Sequence, residues 1–195
     1  MLKIKRVLFF DSGVGGLSVF KDVQHVNPEI ETYFLFDNAW FPYGQKDDKA
    51  LIERIDTVIA KAVERFSFSA IVVACNTAST IALPTLRKHH TLPIVGVVPA
   101  VKPAAMLSQK GIIGLLATPA TVRRQYTRRL IDDFARNCEV IAVGDVSLAT
   151  IAEQKMTTGK VNLDEIANAL KPFTELEEDK QPDVVVLGCT HYPLL

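Results

Sequence analysis

Two of the three cysteines in this 195-residue chain stand in matching surroundings. Cys75 closes the apolar run Ala70-Ile71-Val72-Val73-Ala74 and is followed by Asn76 and Thr77. Cys189 closes Asp183-Val184-Val185-Val186-Leu187-Gly188 and is followed by Thr190 and His191. A thiol at the end of an apolar run, with polar groups directly after it, suits proton transfer. A single buried cysteine is also a small core hydrophobe; two in the same context favour thiol chemistry. His191, two residues past Cys189, can tune a thiolate or donate to a developing charge. Cys138 has no such neighbours and reads as a bystander. The cysteines show neither a CxxC pair nor metal-ligand spacing, so no metal site is expected. Their odd number speaks against a disulfide framework.

Other segments carry weaker signals. Asp11-Ser12-Gly13-Val14-Gly15-Gly16 follows an apolar run and opens a helix at Leu17. It is either a tight turn or a cradle of backbone N–H groups for a small anion, to which Asp11 and Ser12 add side-chain chemistry. It is neither a dinucleotide fingerprint nor a P-loop. Thr118 with Pro119 reads as the cap and first residue of a helix, with a ligand role equally open. Trp40-Phe41-Pro42-Tyr43-Gly44 is a packed turn or a substrate wall. His25, His89 and His90 show no partner pattern and read as surface residues. Arg123, Arg124, Arg128 and Arg129 read as a solvent-facing helix surface, and the polar stretch 155–182 as a solvated helix and loop.

Short β-rich runs at 5–10, 32–36, 70–74, 94–98, 111–117, 139–143 and 183–187 must hold these groups. Most are continuously apolar, as in strands buried on both faces of a parallel sheet. Helical spacing is clearest over 47–66, with Leu51, Ile55, Val58, Ile59, Ala62, Val63 and Phe66 on one face. A second helix is predicted from Pro119, placing Val122, Tyr126, Leu130 and Phe134 together. The alternation defines an α/β fold. The run ending at Asp11 is echoed by the run ending at Thr118, and the Cys75 run by the Cys189 run. The expectation is two similar α/β units, 1–97 and 98–195, with parallel-rich sheets facing each other across a cleft. Ligand sites in such sheets lie beyond the carboxyl ends of the strands, where Asp11, Cys75, Thr118 and Cys189 all stand.

Composition narrows the function classes. Apolar residues make up 48% of the chain, enough for a sizeable core. The 22 basic and 22 acidic residues cancel, which argues against disorder and broad nucleic-acid binding. No apolar run is long enough for a spanning helix, and the run after the basic start is too short for a signal-peptide core. The cytoplasm is the expected compartment, with no membrane partner.

Four motifs in order resemble the glutamate racemase family: Phe10-Asp11-Ser12-Gly13-Val14-Gly15-Gly16-Leu17-Ser18-Val19, Pro42-Tyr43-Gly44, Cys75-Asn76-Thr77-Ala78-Ser79 and Gly188-Cys189-Thr190-His191-Tyr192-Pro193. The resemblance covers essentially the whole chain. It implies a cofactor-independent racemase that interconverts L- and D-glutamate for bacterial peptidoglycan. Carried over by motif, Cys75 and Cys189 are the acid/base pair, Cys75 serving D-glutamate and Cys189 L-glutamate. Asp11 and His191 assist them, and Glu153 matches a third assisting carboxylate. Ser12, Tyr43, Gly44, Asn76, Thr77, Thr118, Thr121 and Thr190 match substrate contacts, alongside Asp11 and His191. Related aspartate racemases usually carry glutamate after the second Cys-Thr, so His191 favours glutamate as substrate. A racemase of aspartate or another small acid, and a silent binding protein of the same fold, are the alternatives. The family commonly forms homodimers. Its members usually continue past the histidine motif and return to complete the first domain, so a return segment is expected to be missing here.

Overall fold

The structure, a computed structural model, describes residues 5–195. The chain divides into two compact units, one up to Val98 and one from Pro99 to Leu195.

In the first unit, strands β1 (Arg6–Asp11), β2 (Glu31–Phe36), β3 (Ala70–Val73) and β4 (Ile94–Gly96) form a parallel sheet in the order β2-β1-β3-β4. Helices α1 (Leu17–Val26), α2 (Asp48–Arg65) and α3 (Asn76–His89) make the crossovers. One sheet face, with Leu8, Phe10, Ile71 and Val73, buries against Leu51, Ile55 and Ile59 of α2 and Ala78, Ala82 and Leu86 of α3. Each fully buried aliphatic side chain contributes roughly 1.5–3 kcal/mol, so this interface anchors both helices. On the other face Phe20 of α1 packs edge-on against Phe9 and Phe34, with centroids 5.4 and 5.8 Å away. Asp47 caps α2 by accepting from the Ala50 N–H at 3.0 Å.

The second unit repeats this order with β5 (Ile112–Ala117), β6 (Glu139–Gly144) and β7 (Val184–Gly188), arranged β6-β5-β7 and all parallel. The centre strand, the neighbour reached by the first crossover and the neighbour carrying the cysteine correspond in the two sheets. Around the second sheet lie α4 (Val101–Leu107), α5 (Pro119–Arg123), α6 (Gln125–Phe134), α7 (Leu148–Thr158) and α8 (Leu163–Thr174). Ile113, Leu115, Ala117 and Val186 pack with Val101, Ala104 and Ala135. Gly159 ends α7 at φ +70°, a left-handed conformation that favours glycine. The Asp183 carboxylate ties the loop before β5 to the start of β7, accepting from Ser108 Oγ (2.6 Å), Gln109 N (2.6 Å) and Lys110 N (2.9 Å).

The α/β class and all seven strands agree with the pattern in the sequence. Four readings need correction. Burial on both faces holds for the central strand β5, whereas Val95 of β4 and Val185 and Leu187 of β7 are exposed. The single helix expected from Pro119 is broken at Arg124, which is extended between α5 and α6. The turn is held by the Thr127 hydroxyl, which donates to the Thr121 carbonyl at 2.6 Å. Thr127 is therefore the buried residue of α6, while Tyr126 and Phe134 face outward. Arg124 is buried, and only Arg123, Arg128 and Arg129 keep the solvent-facing position. His89 and His90 also have a partner: Nδ1 of one and Nε2 of the other lie 2.8 and 3.1 Å from the carboxylate of Asp56 on α2.

Candidate active site

The first cluster forms where β1 and β3 end side by side. Phe10 pairs with Val73 across the ladder, and the Ala74 N–H donates to the Phe10 carbonyl. That register brings Asp11 and Cys75 to one edge, both buried. Cys75 is extended and stands as the N-cap of α3. Its Sγ lies 3.6 Å from Ser12 Oγ, and that hydroxyl donates to Asp11 Oδ1 at 3.1 Å. The same carboxylate oxygen accepts the backbone N–H groups of Ser12 (2.5 Å) and Gly13 (3.3 Å). The two N–H groups at the head of the glycine loop thus close on Asp11. Gly16 is required here, because a Cβ on it would sit 2.7 Å from Asp11 Oδ2 and 2.9 Å from Ala74 Cβ.

Burial, followed by the nearby Asp11 charge, pushes the Cys75 thiol up to about 12. The Ala78 N–H at the start of α3 and the Ser12 hydroxyl and N–H oppose that shift. In this unit Cys75 is therefore held as a thiol. Asn76 and Thr77, in the first turn of α3, are buried, and Asn76 Oδ1 has no hydrogen-bond partner. Such an orphaned acceptor is uncommon in a folded interior.

Tyr43 lies in the same buried cluster as Cys75 and Phe10. Its hydroxyl donates to Asp37 Oδ2 at 2.9 Å. Asp37 in turn receives Arg54 Nε at 2.9 Å and Nη2 at 2.7 Å. Burial and the Asp37 charge push the Tyr43 phenol up, so it stays protonated. Gly44 follows in a half-buried turn.

The second cluster forms at the ends of β5 and β7. Ala117 pairs with Gly188, which sets Thr118 beside Cys189. Cys189, Thr190 and His191 are all buried. His191 Nδ1 is 3.9 Å from Cys189 Sγ, and its Nε2 is 2.8 Å from Glu153 Oε1 on α7. Thr118 caps α5: its Oγ1 accepts from the Thr121 N–H at 3.3 Å and donates to the Thr121 hydroxyl at 3.0 Å. The structure thus brings Asp11, Ser12 and Cys75 together in one unit, with Tyr43 near them, and Cys189, His191 and Glu153 in the other. Asp37 and Arg54 were not singled out in the sequence. Asp37 stands at a strand end, as Asp11 does, which is the one signal for it. Arg54 lies in a charged helix face and carries none. Among the described residues, no group of three or more His, Cys, Asp or Glu side chains is placed to hold a metal ion.

Each parallel α/β unit thus sets a buried thiol at its strand ends. The profile of the Asp/Glu/Hydantoin racemase family matches residues 18–195, and the chain belongs to this family. Within it, the chain is 47% identical over 189 residues to the glutamate racemase of Photorhabdus laumondii, covering 97% of this chain and 65% of that protein. It is 48% identical to the glutamate racemase of Pectobacterium atrosepticum, covering 97% of this chain and 66% of the relative. The chain therefore spans slightly under two thirds of the length of these relatives. Among solved structures, Escherichia coli glutamate racemase in complex with L-glutamate and the activator UDP-MurNAc-ala matches with a TM-score of 0.94 and 47% identity, over 99% of this chain and 72% of that one. Glutamate racemase from Francisella tularensis in complex with D-glutamate matches with a TM-score of 0.77 and 25% identity, over 97% and 70%. No helix among the described residues is long and apolar enough to cross a membrane.

Proposed function

We propose that the chain carries the machinery of a glutamate racemase that works without a cofactor, with Cys75 and Cys189 as its two acid/base groups. The supporting observation is that each buried thiol has its own partner set: Ser12 and Asp11 beside Cys75, His191 and Glu153 beside Cys189. Racemisation removes the Cα proton from one face and returns a proton to the other. One sulfur must be a thiolate while the other is a thiol, and each turnover exchanges those states. In the L-to-D direction the Cys189 thiolate takes the Cα proton and the Cys75 S–H delivers one; the reverse direction swaps them. With Cys75 held as a thiol, its thiolate form must be supported by the Ala78 N–H and the Ser12 hydroxyl and N–H, the groups that oppose its upward shift. The negative charge developing on the α-carboxylate needs donors aimed at it. Ser12, Gly44, Asn76, Thr77, Thr118, Thr121 and Thr190, with Tyr43 as an acceptor, are the residues we assign to substrate contact.

The physiological role that follows is supply of D-glutamate for bacterial peptidoglycan, in the cytoplasm, by a homodimer. Light scattering on an eluting peak tests the dimer. The decisive experiment follows D- and L-glutamate by proton NMR and circular dichroism in D2O, with the full chain and no added cofactor. Loss of optical signal together with Cα–H exchange is expected. Cys75→Ser and Cys189→Ser should each abolish racemisation, and wild-type turnover in either would overturn the two-thiol mechanism. Turnover of aspartate but not glutamate would overturn the substrate assignment.

A further inference from the structure

The two-thiol mechanism uses neither Asp37 nor Arg54, yet their pairing is among the best satisfied in the first unit. The Asp37 side chain is 3% exposed. Both its oxygens are filled, Oδ1 by Arg54 Nη2 and Oδ2 by Arg54 Nε and the Tyr43 hydroxyl. This is a two-pronged guanidinium–carboxylate bond, which fixes direction as well as charge. The guanidinium carbon also lies 5.7 Å from the centre of the Trp40 ring. One side chain therefore engages both ends of the aromatic loop that delivers Tyr43. Arg54 in turn rides on α2, whose Leu51, Ile55 and Ile59 are fully buried against the sheet. The rigid helix is the reference point, and the loop is held to it.

We propose that Arg54 is a positioning residue for the Cys75 side of the site, acting through Asp37 on Tyr43. The inference rests on the racemase reading given above. A buried carboxylate stays charged only while it is paired. Without the fork, nothing holds the Asp37 carboxylate in place: it turns toward water or takes up a proton and rotates, and the Tyr43 phenol loses the fixed acceptor that aims it. The phenol has one proton and spends it on Asp37, so its oxygen offers only lone pairs to any further partner. Lysine at this position restores charge but not the two-pronged geometry.

The test compares Arg54→Lys, Arg54→Met, Tyr43→Phe and the Arg54→Met/Tyr43→Phe double variant in steady-state racemisation. Arg54→Met is expected to raise KM for glutamate about tenfold, with a smaller loss in kcat, and Arg54→Lys to fall between it and wild type. In the Tyr43→Phe background the further effect of Arg54→Met should shrink to less than about threefold, because residues acting in one network do not add. An unchanged KM in folded Arg54→Met, or the same factor in both backgrounds, would overturn the proposal. Should Arg54→Met fold poorly, Asp37→Asn/Arg54→Met removes the stranded charge while the amide carbonyl introduced in place of the carboxylate still accepts from Tyr43. Recovery of KM toward wild type is expected, and recovered thermal stability with an unimproved KM would count against positioning. Trp40 is the sole tryptophan, so its emission reports the loop independently of turnover. Arg54→Met should shift it red and increase acrylamide quenching, with Arg54→Lys in between. An unchanged emission would sink the positioning role, whereas absent turnover by wild type with a shifted emission would sink the racemase reading alone.

Discussion

Glu153 and His191 are 38 positions apart in sequence, and their side chains meet at 2.8 Å. An ionised carboxylate only accepts hydrogen bonds, so Nε2 of the imidazole carries the proton and donates to Glu153. The Nδ1 lone pair then faces Cys189 Sγ, 3.9 Å away. Glu153 thereby holds the tautomer that turns a lone pair, not an N–H, toward Cys189.

Replacing Glu153 by Gln, which can donate as well as accept, loosens that tautomer. The expected loss in kcat/KM for glutamate is roughly 10²-fold, at the low end of what a positioned acid or base supplies. Enantiomers have equal free energy, so the loss must be the same in the L-to-D and D-to-L directions. Progress curves started from each enantiomer check both statements. A variant as fast as wild type would remove Glu153 from the site.

The Cys75 thiol gives stability a characteristic alkaline dependence. Burial, and then Asp11, raise its pKa from 9.0 to about 12. Below pH 9 both folded and unfolded chains hold the proton, and the contribution is complete. Between about 9 and 12 the unfolded chain releases the proton and the folded one does not, so stability falls as pH rises. The slope is at most about 1.4 kcal/mol per pH unit for one group. Tyr43 and Tyr192, also raised from 10.0, add the same sign at higher pH. Urea denaturation at pH 9 and pH 10 reads this slope, and the difference between wild type and Cys75→Ala, which should be flatter, isolates the thiol from the tyrosines.

Gly16→Ala tests how tightly the Asp11 carboxylate is seated. The new methyl group would meet Asp11 Oδ2 at 2.7 Å and Ala74 Cβ at 2.9 Å. Both neighbours are buried, so something must shift, at a cost of roughly 1–3 kcal/mol. Because Asp11 also anchors Ser12 beside Cys75, racemisation should fall by more than the fraction unfolded explains. Chemical denaturation and turnover measured on one preparation separate the two effects.

Asp183 makes a contrasting prediction away from the site. Its bonds from Ser108, Lys110 and Gln109 outweigh desolvation and lower its pKa from 3.8 to about 2. The contribution is complete above pH 3.8 and is lost as pH falls through about 2. Asp183→Ala should therefore lower Tm at pH 7 without altering kcat. The gap to wild type should narrow as acid protonates the native carboxylate, and scanning calorimetry across pH 7 to 2 reads it.

Much of this protein was legible without coordinates. Seven apolar runs, the helices between them and their parallel pairing follow from local hydrophobic spacing, which each strand and helix expresses by itself. The placement of Asp11, Cys75, Thr118 and Cys189 at strand ends follows too, because a parallel sheet aligns those ends on one edge. The repeated motifs point to two similar α/β units, whereas the order of the strands in each sheet came only from the structure. Tertiary structure alone decided which distant polar side chains meet. Glu153 sits in an undistinguished helical sequence, and Arg54 in a helix face rich in charge. Their spacing would be the same whether they pointed at water or at a buried partner. The break at Arg124 and the burial of that arginine likewise depend on Thr127 reaching back to Thr121. Apolar periodicity is a property of a segment, whereas the partner of a charged side chain depends on how separate segments dock. That is why the strands, helices and thiols could be named from sequence, and why the pairs that orient Tyr43 and His191 could not.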